Sequence, residues 1–200
     1  INKNIMNENQ IMEKYLNSQI DCITKIENSK EEIEKIFEVL LKARDQRRKI
    51  FVMGNGGSAS TATHFVADLL KTSLVKKRNR FKAFSLSDNI PVLLAWANDT
   101  SYDEIFTGQL ENMLDKDDIV IGISGSGNSQ NVLNGIKFAN KMKATTISLT
   151  GQKGGKISKI SKINFTIPSN DMLTIETMHL MICHLITTLL RNTGKPVFKY

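Results

Sequence analysis

Apolar residues fall at helical spacing over the first fifty positions and in short, dense runs after them. Across 8–27, Met12, Leu16, Ile20, Ile23 and Ile26 recur three and four residues apart, which predicts an amphipathic helix. Asn28 and Ser29 interrupt it. Ser29 with Glu32 three residues later predicts a capping box for a second helix, with Ile33, Ile36, Phe37, Leu40 and Leu41 on its apolar face. The two stripes of this hairpin serve either a common core or a partner subunit.

From Lys49 onward the period changes. β-type runs at 50–53, 81–86, 118–123, 145–149 and 163–167 alternate with helical stretches. The helices are expected at 58 to about 71, 90–97, 101–114, 130–142 and 172–190. Five apolar strands interleaved with helices predict an α/β fold, its parallel sheet covered on both faces. Crossovers in such a sheet are right-handed, and ligands bind at the carboxyl ends of its strands. The expected division is a hairpin at 1–48 within the same domain, a sheet unit at 49–190 and a tail at 191–200.

The chain has 200 residues, 40% hydrophobic and 24% charged, which suits one packed domain. Two cysteines, Cys22 and Cys183, exclude a disulfide scaffold and a four-cysteine zinc module. No run reaches the roughly 18 apolar residues that span a bilayer, and residues 1–10 lack the apolar core of a secretory signal. The expectation is a cytoplasmic protein with no membrane partner.

A net charge of +7 and a pI near 9.4 favour acidic partners without choosing among sugar phosphates, nucleotides, nucleic acid and anionic lipid. The densest basic stretch is Lys71, Lys76, Lys77, Arg78, Arg80 and Lys82, read here as solvated surface. Nucleic-acid binding through it would need a continuous patch and a steep salt dependence; no helix-turn-helix is left over once the sheet is assigned. Arg44, Arg47, Arg48 and Lys49 sit at a helix end, where cations suit the dipole.

Two loops carry candidate chemistry. Gly54-Asn55-Gly56-Gly57-Ser58 follows the first strand, and Ser58 is placed to cap the next helix. Gly54, Gly56 and Ala59 fit a dinucleotide fingerprint loosely, but 76–80 is basic where its carboxylate belongs, and no Walker lysine is present. Ser124-Gly125-Ser126-Gly127-Asn128-Ser129 offers three hydroxyls, free amides and a helix start, which suit either a phosphate or a plain turn. Ser126 lacks the glycine spacing of a nucleophile elbow.

The histidines complete the candidates. His64 and Asp68 are four apart on one helix face, either as working groups or as an ordinary surface pair. Glu176 and His184 lie eight apart, about 12 Å along the axis, and share a metal only if both lean inward. His179 reads as structural. Cys183 diverges from His184 by about 100° and makes no nucleophilic pair with it.

Gly54-Asn55-Gly56-Gly57-Ser58, His64, Asn98-Asp99, the 124–129 loop, Leu149-Thr150-Gly151 and Glu176 with His184 together resemble the bacterial phosphoheptose isomerases, which are sugar isomerase (SIS) domain proteins. The resemblance covers about residues 10–190. It implies a three-layer αβα sandwich of flavodoxin type and a homotetramer with sites at subunit contacts. It implies isomerisation of sedoheptulose 7-phosphate to D-glycero-D-manno-heptose 7-phosphate, a heptose precursor for lipopolysaccharide or capsule. By the family pattern Asn55, Gly56, Gly57, Ser58, Asn98, Asp99, Ser124, Gly125, Ser126, Ser129 and Glu176 bind substrate. Zinc ligands fall on His64, Asp68, Glu176 and His184, and the acid/base pair on Asp68 and His184. Non-catalytic relatives, such as replication-initiator-associating factors, share the loops and are the alternative, as is an isomerase of another sugar phosphate. The chain departs from the pattern at five positions: Asp68 for glutamate, Glu176 for glutamine, Gly125 for threonine, Thr61 for aspartate and Thr174 for arginine.

Overall fold

A computed structural model describes residues 6–199. Helix α1 (Glu8–Ile26) starts at a reciprocal capping box in which Asn7 and Gln10 each accept the other's backbone N–H at 3.0 Å. A 3₁₀ turn (Glu27–Ser29) leads directly into α2 (Lys30–Asp45). The capping box expected at Ser29 does not form. The chain keeps a helical backbone on both sides of this turn, at Ile26 and Lys30, so no extended cap residue is present to turn a side chain back.

Five strands form one parallel sheet: β1 (Lys49–Gly54), β2 (Lys82–Ser85), β3 (Ile119–Ser124), β4 (Thr145–Gly151) and β5 (Ile163–Ile167), in the order β2-β1-β3-β4-β5. Alternate side chains feed two cores. Ile50 and Val52 face a layer built from α1, α2, α3 (Gly57–Ala67) and α8 (Met172–Arg191). Phe51 and Met53 face α5 (Thr107–Met113), α6 (Gln130–Lys141) and α7 (Gly155–Ser158), with α4 (Ile90–Asp99) packed at that layer's edge. The result is the expected three-layer sandwich.

The single helix expected over 101–114 is split. A 3₁₀ turn (Tyr102–Glu104) precedes α5, and Ile105 and Phe106 between them plunge into the second core. Arg44 is not on the surface: it is 2% exposed, donates to the Thr193 hydroxyl and lies over the Phe81 ring at 5.6 Å. By length and composition α8 meets the measure of a membrane-crossing helix, contrary to expectation, but half of its apolar window is buried in the fold. Its Ile175, Ile182, Ile186 and Leu190 pack against the sheet layer.

Candidate active site

The strand order reverses at β1, which lies between β2 and β3, so a crevice opens beyond the carboxyl ends of β1 and β3. Both sequence-predicted loops meet there. After β1 the chain doubles back tightly, and a Cβ on Gly54 would stand 2.8 Å from the Ser58 backbone. Gly56 takes φ +53, outside the range most residues adopt, and its side-chain direction opens onto empty space. It, not Ser58, is the N-cap of α3; Ser58 is buried in the first turn and makes no capping bond. The cap lies two residues before the serine that the sequence signal picked out.

After β3 the chain is seated on the turn that follows β4. Gly127 has φ +64, and any side chain there would collide with the Gly154 carbonyl. The Ile157 N–H donates to Gly127 O at 3.0 Å, and the Gly151 N–H to Gly125 O at 3.0 Å. The Ser124 and Ser129 hydroxyls lie 3.1 Å apart, and Ser126 Oγ accepts the Asn128 N–H at 3.2 Å. At Gly125 the place of a side chain is filled by the Met172 sulfur.

The candidate side chains come from α3 and α8, which pack with the same polarity, since Gly57 meets Glu176 and His64 meets His184. Asp68 stands where α3 gives way to a π-helical turn (Asp68–Thr72), a distortion frequent at functional sites and unmarked by the hydrophobic pattern. His64 and His184 face each other with their Nε2 atoms 3.1 Å apart, so one ring donates and the other accepts. Asp68 Oδ2 lies 3.8 Å from His64 Nε2 and 3.7 Å from His184 Nε2. Both imidazoles are about half exposed while Asp68 is largely covered. A cavity of about 600 Å³ runs along this face of α3, lined by Ser60, Thr63, His64, Asp68, Lys71 and Ser87.

These three ligand atoms can hold a divalent metal. Two imidazole nitrogens about 2.0–2.1 Å from a tetrahedral ion lie roughly 3.3 Å apart, close to the separation seen here. Two nitrogens and one oxygen are a donor set that suits zinc. Glu176 is outside this group of three. Its carboxylate rests against Gly57, at the amino end of α3, so closely that a Cβ there would overlap it. The helix spacing of Glu176 and His184 already separates them along α8, and the backbone does not bend to close the gap.

Asn98 and Asp99 end α4, exposed, with the Asn98 amide donating to Asp99 Oδ1 at 2.8 Å. No hydrogen bond among the described residues joins them to the His64–Asp68–His184 cluster. His179 is fully buried, and its Nε2–H donates to the Thr150 carbonyl at 3.0 Å. Burial, only partly offset by that bond, lowers its pKa from 6.5 to about 4. Cys183 turns into the core, where burial first and the Asp68 carboxylate second push its thiol well above the usual range. It is no nucleophile. Sequence reasoning missed Tyr102 and Asn131, which bond Asn55, because a lone tyrosine and an asparagine inside a helix carry no motif.

An αβα sandwich with two glycine- and serine-rich loops at neighbouring strand ends is the SIS domain, and residues 14–151 match that family. The phosphoheptose isomerase of Aliarcobacter butzleri is 37% identical over 182 residues, spanning 91% of this chain and 96% of its own length. The phosphoheptose isomerase structure from Francisella tularensis superposes with a TM-score of 0.89 at 25% identity, covering 94% of this chain and all of the other. That from Neisseria gonorrhoeae gives 0.85 at 27%, covering 92% and 98%. The chain belongs to the phosphoheptose isomerase family of SIS-domain proteins.

Proposed function

We propose that the chain converts sedoheptulose 7-phosphate to D-glycero-D-manno-heptose 7-phosphate, supplying heptose for lipopolysaccharide or capsule in the cytoplasm. The observation that carries this reading is the convergence of Asp68 with His64 and His184 from two helices, in a fold whose glycine- and serine-rich loops lie at the neighbouring strand ends. The phosphate is assigned to Ser124, Gly125, Ser126 and Ser129, where hydroxyls and backbone N–H groups meet an anion without a buried cation. Asn55, Gly56, Gly57 and Ser58 are assigned to the sugar chain on the other side of the crevice, with Asn98 and Asp99 at its rim. Glu176, over Gly57, borders the same space.

Ketose-to-aldose isomerisation moves one proton from C1 to C2 through an enediol. Asp68 takes the C1 proton, the electron pair forms the C1–C2 double bond, and His184 gives a proton to the former carbonyl oxygen. His184 then takes the proton of the C1 hydroxyl, the C1 carbonyl forms, and Asp68 returns its proton to C2. A carboxylate and an imidazole can do this near neutrality. With no ion between them, the Nε2 contact from His64 orients the His184 ring; a bound ion would take that contact's place. His64, Asp68 and His184 would hold zinc, which when bound polarises the substrate carbonyl.

The assembly is proposed to be a homotetramer. On α1 only Cys22 and Ile26 are buried, while Leu16 and Ile20 are 59% and 60% exposed, so most of the predicted apolar stripe has no cover within one chain. That leaves an apolar surface suited to a second copy.

Incubation with sedoheptulose 7-phosphate and identification of the product tests the reading. Conversion is expected, with kcat reduced about 10²–10⁴-fold in Asp68→Asn. No conversion, or full turnover by Asp68→Asn, overturns it.

A further inference from the structure

We propose that Asn131 is a positioning residue that sets the spacing of the two substrate loops through a reciprocal amide pair with Asn55, closed from outside by Tyr102. The inference rests on the site reading above, and it concerns a residue that lies outside both loops.

Asn131 is the second residue of α6 and is 1% exposed. Its Nδ2 donates to Asn55 Oδ1 at 2.9 Å, and Asn55 Nδ2 donates back to Asn131 Oδ1 at 2.9 Å. Asn131 Oδ1 also accepts the Val132 N–H at 2.9 Å. Asn55 Oδ1 also accepts the Tyr102 hydroxyl at 3.0 Å. Both carbonyl oxygens therefore use both lone pairs.

The bonds also fix the direction of each amide. Val132 presents a backbone donor, so Asn131 must turn its oxygen, not its NH₂, toward it. That leaves the Asn131 NH₂ facing Asn55, which must answer with its own oxygen. The same oxygen then meets Tyr102. Reversing either amide alone sets donor against donor and acceptor against acceptor inside a buried site.

The pair spans the switch-point crevice. Asn55 belongs to the loop after β1, Asn131 to the helix start behind the 124–129 loop, and Tyr102 to the turn that follows Asn98 and Asp99. The loop after β1 and the elements that directly follow the other two assigned segments thus share one hydrogen-bonded strut. It also narrows the role of Asn55: its side-chain carbonyl is spent on the strut, so its side chain offers a ligand only one Nδ2 hydrogen.

Asn131→Asp keeps the shape and replaces the inner donor by an acceptor facing Asn55 Oδ1. Two readouts are compared with wild type: the dissociation constant of inorganic phosphate by calorimetry, and KM and kcat with sedoheptulose 7-phosphate. Asn131→Asp is expected to weaken phosphate binding and raise KM by about tenfold or more, with a smaller change in kcat. Asn55→Ala should add little to the loss of inorganic phosphate affinity in the double variant, because both changes break the same pair and Asn55 is assigned to the sugar, not the phosphate. Tyr102→Phe, which removes one exposed hydroxyl from the strut, should raise KM in the same direction by a few-fold and covers the case in which Asn131→Asp does not fold. Unchanged phosphate binding and KM in folded Asn131→Asp, or in Tyr102→Phe where the former is unfolded, overturns the strut, as does a double variant whose losses of phosphate affinity add. Phosphate binding by wild type without turnover rejects the isomerase reading and leaves the strut to be judged on binding. Absence of phosphate binding by wild type overturns both.

Discussion

The Nε2 atoms of His64 and His184 face each other at 3.1 Å although 120 positions separate them in the chain. Neither ring has a comparable partner on its own helix. With Asp68 Oδ2 within 3.8 Å of both, the two imidazoles form a site only when α3 and α8 pack side by side.

Metal binding should follow this triangle. Wild-type protein loaded with zinc and dialysed should keep about one ion per chain. His64→Ala and His184→Ala should lose more than about a hundredfold in affinity, since loss of an outer partner alone commonly costs 10–100-fold. Glu176→Gln should change it little, because Glu176 lies outside the group of three. Competition with a chromophoric chelator reads all of these; equal loss in Glu176→Gln would mean that the carboxylate leaves Gly57 to join the ion.

Acid should destabilise the fold through His179. Its pKa falls from 6.5 to about 4 on burial, so the unfolded chain binds the extra proton first as pH drops. Stability from the neutral ring is therefore complete above about pH 6.5 and is lost as pH falls toward 4, by up to about 3 kcal/mol. Urea unfolding across that window should show the slope in wild type and a reduced slope in His179→Gln. Parallel curves would reject the assignment.

Gly127→Ala should damage both stability and affinity. The position has φ +64, and the added methyl meets the Gly154 carbonyl, which cannot yield as a side chain can. A cost of about 1–3 kcal/mol is expected in denaturant unfolding, together with a raised KM for the phosphorylated substrate. Wild-type values for both would show that the loop relaxes freely.

Ile20→Glu places a charge on the uncovered stripe of α1, at a side chain 60% exposed in the single chain. The fold should survive, with unchanged circular dichroism, while sedimentation velocity shows a smaller species than wild type. A tetramer retained by this variant would place the subunit contact elsewhere.

The sequence alone determined the layers of the fold, because the five strands and the long helices announce themselves by a local period, as the four-residue α7 and the break at 102–106 do not: the run at 50–53 sends Ile50 and Val52 to one core and Phe51 and Met53 to the other. It also located both loops, since glycine and serine at a strand end have few other uses. It misread Ser29 and Ser58 as caps, where a continuous helix and an earlier start left them no role. Only the tertiary structure decided the site. Periodicity says which face of α8 is buried, but not that His184 on the opposite side meets His64, that Glu176 ends at Gly57, or that Asn131 clasps Asn55. Those pairings depend on how two helices and two loops are set against one sheet, and no window of neighbouring residues contains that information.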